Sequence, residues 1–112
     1  MKEVEKVWGW EHWIANEPEY CGKLLYISKG ASSSLHYHPK KKETFYLLSG
    51  EAELELGEDI LFHFPYYNYP VTIAPNTLHR FTAAKDSVIL EVSTHHNDKD
   101  VVRLEESKSG VD

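Results

Sequence analysis

Cysteine, basic charge and long apolar runs are all scarce in this sequence. Its 112 residues include one cysteine, Cys21, so no disulfide can close within the chain. A reducing, cytoplasmic setting is the expectation. No apolar run approaches the ~18 residues that span a bilayer, and the opening MKEVEKVWGWEHW lacks the apolar centre of a signal peptide. No membrane partner is expected. Lys and Arg number 12 against 18 Asp and Glu, a net charge of -6. A broad nucleic-acid surface needs the opposite balance, because its affinity comes from counterion release by basic groups. Helical periodicity is also almost missing.

Strand signals fill the space. The segments KLLYIS (23–28), ETFYLLSG (43–50), EAELELG (51–57), DILFHF (59–64), VTIA (71–74), HRFTA (79–83) and SVILEVS (87–93) are short, apolar or alternating, and separated by Gly, Pro and Asn. In EAELELG the alternation is strict, with Glu51, Glu53 and Glu55 on one face and Ala52, Leu54 and Leu56 on the other. Many short strands at this spacing predict an all-β sandwich or barrel. The length fits one domain with enough core to fold without a metal or disulfide staple. Its barrel core is expected over about 20–94, with an N-terminal arm (1–19) and a polar, mobile C-terminal tail (95–112).

One stretch, GASSSLHYHPKKKETFYLLSG (30–50), carries chemistry. On a strand, His36 and His38 face the same way, roughly 6.6 Å apart. Pro39 ends that strand. Glu43 opens the next one and meets His38 if the two strands pair as a hairpin. Two neutral imidazoles and a carboxylate suit a first-row transition metal. His79, after a Pro-Asn turn, is the candidate fourth ligand, with Phe81 and Ala83 on its face. The expected site is His36, His38, Glu43 and His79, with coordination positions left open as in catalytic centres.

Other polar and aromatic residues read more plainly. Lys40, Lys41 and Lys42 form a solvated loop. Arg80 faces away from His79 and reads as a surface or interface arginine unless the turn rotates it towards a phosphate, and Arg103 reads as a tail salt bridge or a contact to a partner's site. His95 and His96 belong to a surface loop, and His12 and His63 carry no assignment. Of Lys23 and Tyr26, at most one points inward. Cys21 lacks a basic partner and is not read as a nucleophile. Trp8, Trp10 and Trp13 and the FPYYNY cluster (64–69) are core fillers by default.

Gly30, His36, His38, Glu43 and Gly50 match the first motif of the cupin superfamily, G-x5-H-x-H-x4-E-x6-G, at every spacing. The second motif, G-x5-P-x-G-x2-H-x3-N, is matched in part: His79 is present, Asn68 and Asn76 stand at its glycines, Ala74 at its proline and Ala83 at its asparagine. Asparagine is the residue that best replaces glycine at positive φ. The chain thus resembles the cupins, which implies a small jelly-roll (double-stranded β-helix) barrel. VWGWEHW (7–13), YCGKLLYISKG (20–30), SLHYH (34–38), ILEV (89–92) and DVVRLEE (100–106) further resemble the cupin domain of type II mannose-6-phosphate isomerases. Val7 stands where those isomerases carry proline and His36 where they carry glutamine. The final Y-G-R is absent.

This resemblance implies a divalent transition metal (zinc, manganese, iron or nickel), a small-molecule substrate such as a sugar or sugar phosphate, and isomerase or epimerase activity. Glu43 is then the candidate catalytic base. It also implies a homodimer, across which the N-terminal tryptophans can pack. Two alternatives stand beside it: a metal-dependent dioxygenase, and a non-catalytic small-ligand-binding cupin.

Overall fold

The computed structural model describes residues 2–110. Eleven strands run through them, and no helix: β1 Lys2–Lys6, β2 Gly9–Asn16, β3 Cys21–Ile27, β4 Leu35–Tyr37, β5 Glu43–Ser49, β6 Ala52–Leu56, β7 Ile60–Phe64, β8 Val71–Ile73, β9 His79–Ala83, β10 Ser87–Ser93 and β11 Val102–Glu105. They build two antiparallel sheets, a six-stranded one ordered β1-β2-β3-β10-β5-β8 and a five-stranded one ordered β11-β4-β9-β6-β7. The all-β jelly-roll expectation holds.

Alternation decides what each sheet buries. Cys21, Lys23, Leu25 and Ile27 of β3 point inward, as do Glu43, Phe45 and Leu47 of β5. On the facing sheet the inward residues are Ala52 and Leu54 of β6 and His79, Phe81 and Ala83 of β9. The apolar members close the middle of the barrel, where Phe45 and Phe81 meet edge to face with centroids 4.7 Å apart. The polar members collect towards one end. Glu53, Glu55 and Arg80 lie on the outer side, as the EAELELG pattern requires.

Turns follow local chemistry. Gly50, between β5 and β6, has φ 97°, and a Cβ there would sit 2.4 Å from the Asp86 carbonyl oxygen. Asn76 has φ 63°, so this asparagine does the work of a motif glycine.

Three expectations are corrected. The N-terminal arm is not separate from the sheet: β1 and β2 pair with each other, and β2 pairs with β3 from Gly9↔Ile27 to Asn16↔Cys21. The tail is not loose. Val102 and Arg103 pair with Tyr37 and His36, and Ser32 bridges Lys108, because β4 would otherwise present an open edge. Residues 111–112 of that tail lie outside the described residues. Finally, β4 and β5 do not form a hairpin. They belong to opposite sheets, and the PKKK connection crosses the end of the barrel. The three tryptophans also part company: Trp8 is buried in the core, Trp13 faces the interior, and Trp10 stacks on Tyr26 outside at 3.9 Å.

Candidate metal centre

His36 of β4 and His79 of β9 are register partners on adjacent antiparallel strands, which puts their rings 4.4 Å apart. His38 follows directly after β4. The connection carries the chain across to β5, whose first residue is Glu43. One ring nitrogen from each of His36, His38 and His79 lies within 4.8 Å of the others, so the three could hold a metal ion. Glu43 joins them from the opposite sheet: its Oε1 is 3.6 Å from His38 Nε2 and its Oε2 is 3.1 Å from His79 Nε2.

The rings are held in one tautomer. His36 Nδ1 contacts the Ser34 carbonyl at 2.8 Å, His38 Nδ1 the Asp100 carbonyl at 2.7 Å and His79 Nδ1 the Thr77 carbonyl at 2.9 Å. A carbonyl only accepts, so each Nδ1 carries the proton and donates it. Each Nε2 is left with a lone pair for the interior. Backbone anchoring of this kind is how metal-ligating histidines are oriented.

Two buried atoms among the described residues lack a hydrogen-bond partner, and they face each other: His79 Nε2 and Glu43 Oε2. They are within ion-pair distance, but the contact misses hydrogen-bond geometry. Buried acceptors left without a donor are costly, about 1–3 kcal/mol each. A cation between them would satisfy both. The donor set of three imidazoles and a carboxylate therefore fits a divalent transition metal.

Electrostatics agree with that fit. Burial, helped by the neighbouring His79 ring, pushes the His36 imidazole down to about 3. Burial also lowers His38, outweighing the pull of Glu43. Both rings are neutral at pH 7 and able to ligate. Burial pushes the Glu43 carboxyl up, but His79, Lys41 and His38 together hold it below the usual carboxylate range, so it is ionised.

Behind the histidines lies a second polar group that sequence reading missed. Lys41 is not solvated but 3 % exposed. Its Nζ lies 2.7 Å from Glu91 Oε2, 3.2 Å from Glu43 Oε1 and 3.0 Å from His96 Nδ1. The two buried carboxylates raise its pKa against the opposing effect of burial, the largest single influence. Lys23 is 1 % exposed, 3.4 Å from Glu11 Oε1 and over the Trp13 ring at 4.2 Å. His96 is no plain surface residue, since it also packs against Trp13 and bonds Asp98. Glu91 and Lys23 share parity with Ile89 and Leu25, but KLLYIS and SVILEVS carry apolar residues on both faces, so which parity points inward was not legible. Lys41 was not legible either, because a loop has no parity.

All these groups line one cavity of about 380 Å³, which Arg103 also borders. Arg80 does not reach it. Its guanidinium is fastened to Glu55 at 2.8 and 3.0 Å and to Glu105 at 3.1 Å. FPYYNY does not reach it either: Phe64 is in the core, and Tyr66 and Tyr69 are exposed. Burial pushes the Cys21 thiol up, which suits an inert side chain.

No protein-family model matches the sequence, and no curated protein does. Solved structures do match by fold. The capsular polysaccharide assembling protein CapF from Staphylococcus aureus superposes with a TM-score of 0.81 at 17% identity, over 93% of this chain and 31% of that one. KdgF from Halomonas sp. gives 0.71 at 21% identity, over 80% and 82%. A Lactobacillus farciminis oxalate decarboxylase, solved as a formate complex, gives 0.75 at 16% identity, over 92% and 33%. The chain thus spans only about a third of the CapF and decarboxylase chains. At these identities the likeness is one of architecture: the chain has the cupin-type double-stranded β-helix fold.

Proposed function

We propose that the protein is a metal-dependent isomerase or epimerase acting on a sugar or sugar phosphate, with His36, His38, His79 and Glu43 as the metal ligands. The observation that carries this reading is the pair of buried, partnerless atoms His79 Nε2 and Glu43 Oε2 inside a three-histidine cluster that opens on a cavity. When bound, a divalent metal supplies Lewis-acid polarisation of a substrate carbonyl. The chain's own groups do the rest. Lys41 grips Glu43 through Oε1 and turns Oε2 to the histidines as the oxygen that would ligate the cation, so Glu43 exchanges a proton with substrate only when Oε2 is off the metal. The cavity wall balances four cationic side chains against four carboxylates, so a bound dication makes it net positive and suited to an anionic substrate. Arg103 at its border is placed for a phosphate or carboxylate. The resemblance to the mannose-6-phosphate isomerase domain supports this substrate class, and the buried Cys21 fits a reducing, cytoplasmic setting.

The test is hydrogen exchange. Metal-loaded protein in D2O, incubated with a panel of sugars and sugar phosphates including mannose 6-phosphate, is expected to place deuterium at the carbon next to the carbonyl. Glu43→Gln is expected to abolish this. Absence of exchange across the panel overturns the reading. Oxygen uptake by the iron-loaded protein without such exchange would replace it with a dioxygenase.

A further inference from the structure

Among the described residues two lysines are buried, and only one of them is fully paired. Lys41 is committed to Glu43, Glu91 and His96. Lys23 is not. Its ammonium has three donors, and its one acceptor is Glu11 Oε1 at 3.4 Å. That oxygen already holds a shorter bond, since Trp13 Nε1 donates to it at 2.7 Å. The Trp13 ring lies 4.2 Å from the Lys23 ammonium, with Lys2 over the same ring at 4.5 Å and the His96 ring edge-on at 5.0 Å. The indole is therefore a support for Lys23 and not a free platform for a sugar ring. Two donors of a buried cation are left without a protein acceptor, in a side chain that lines the cavity. A buried charge so little compensated is costly, and an anion in the cavity would complete it.

Register sets its distance from the metal centre. Lys23 pairs with Glu91 of β10, and Glu91 with Phe45 of β5, the strand that opens on Glu43. Lys23 thus stands two strand spacings, about 10 Å, across the sheet from β5. Its side chain leans on Trp13 of β2, one strand further out. Arg103 borders the same cavity from the other sheet. Its guanidinium has no partner among the described residues, so the salt bridge expected of it is not formed. We propose that Lys23, held by Glu11 and Trp13 and assisted by Arg103, anchors the terminal phosphate of an open-chain sugar phosphate whose carbonyl end lies at the three histidines. This rests on the sugar reading above and narrows it, because the spacing selects on length. An open six-carbon chain with a terminal phosphate reaches from one cluster to the other. A two-carbon diacid such as oxalate is too short, and a sugar without phosphate leaves Lys23 without its anion.

Binding of a probe that cannot isomerise separates this from the reaction. Mannitol 1-phosphate has the chain and the phosphate but no carbonyl. It is expected to bind the manganese-loaded protein about tenfold more tightly than mannitol or inorganic phosphate does. Manganese-induced relaxation of its phosphorus resonance is expected to place the phosphorus about 10 Å from the metal, outside the coordination shell. Lys23→Met combined with Glu11→Gln removes both charges together, so no lone buried carboxylate remains. The pair is expected to weaken the probe about 10–100-fold, the worth of hydrogen bonds to a charged group, with metal affinity by chelator competition unchanged. Lys29→Met, at an exposed position, is expected to bind the probe as the wild type does. Equal binding of mannitol and mannitol 1-phosphate overturns the inference. So does a phosphorus inside the metal's shell, or a double variant that binds the probe as well as the wild type. The isomerase reading fails separately, by absence of deuterium exchange, even where the probe binds at Lys23.

Discussion

At the scale of single residues, the polar interior is organised around shared partners. Lys41 neutralises Glu43 and Glu91 at once, so removing it strands two buried carboxylates. Breaking a buried ion pair by deleting one partner costs about 3–5 kcal/mol. Lys41→Met is therefore expected to lower the urea midpoint of the metal-free protein strongly, and the double change Lys41→Met, Glu91→Leu is expected to restore part of the loss. His79→Ala removes the ring at the centre of the cluster, and plasma emission analysis is expected to find metal content falling from about one per chain to near zero. The acid response of the metal-free protein follows from His36. Its folded-state pKa is lowered to about 3 from 6.5, so the unfolded chain takes the proton first. Stability is complete above pH 6.5 and declines as pH falls from there towards 3. Urea midpoints measured from pH 7 to 4 check this, and in His36→Gln the slope is expected to flatten.

At the scale of elements, the C-terminal segment acts as a clasp on the site. The Asp100 carbonyl accepts from His38 Nδ1, while its carboxylate accepts from the backbone N–H of Lys40 at 2.9 Å and of Lys41 at 3.0 Å. Asp100→Ala frees the crossing loop without touching a ligand. Losses at such supporting positions typically run 10–100-fold in metal affinity. Competition with a chromogenic chelator is expected to show a drop in that range, with dichroism unchanged. The turn at Gly50 is a separate matter of backbone. Gly50→Ala places a Cβ against the Asp86 carbonyl at positive φ and is expected to destabilise by about 1–3 kcal/mol in denaturant titration. Much of this scale was legible. The strands from β5 to β10 follow from alternation and turn residues, and His79 shares its face with Phe81 and Ala83 as read. β1, β2 and β11 were not legible: β1 (KEVEK) and β11 (VRLE) are largely charged and β2 (GWEHWIAN) reads as an aromatic cluster, so each is recognisable as a strand only once its neighbour is known.

At the scale of the whole molecule, two sheets meet at a wet end and a dry middle. The dry middle supplies stability: Leu54 is fully buried, and Leu54→Ala is expected to cost about 2–5 kcal/mol. The wet end offsets some of it with seven buried ionisable groups, Glu11, Lys23, His38, Lys41, Glu43, His79 and Glu91. A bound metal adds stability by mass action, about 2.7 kcal/mol at a hundredfold excess over its Kd. Thermal melts are expected to rise on adding metal and to fall back with a chelator.

The sequence by itself determined the β class, the face shared by Ala52, Leu54 and Leu56 and by His79, Phe81 and Ala83, and the four ligand candidates, because these depend on spacing along one chain. Only the tertiary structure decided that β4 and β5 lie on opposite sheets, that Lys23 rather than Tyr26 points inward, and that Lys41 turns inward to the carboxylates. Those outcomes depend on which strands become neighbours, and pairing is settled by the packing of distant segments rather than by any local run of residues.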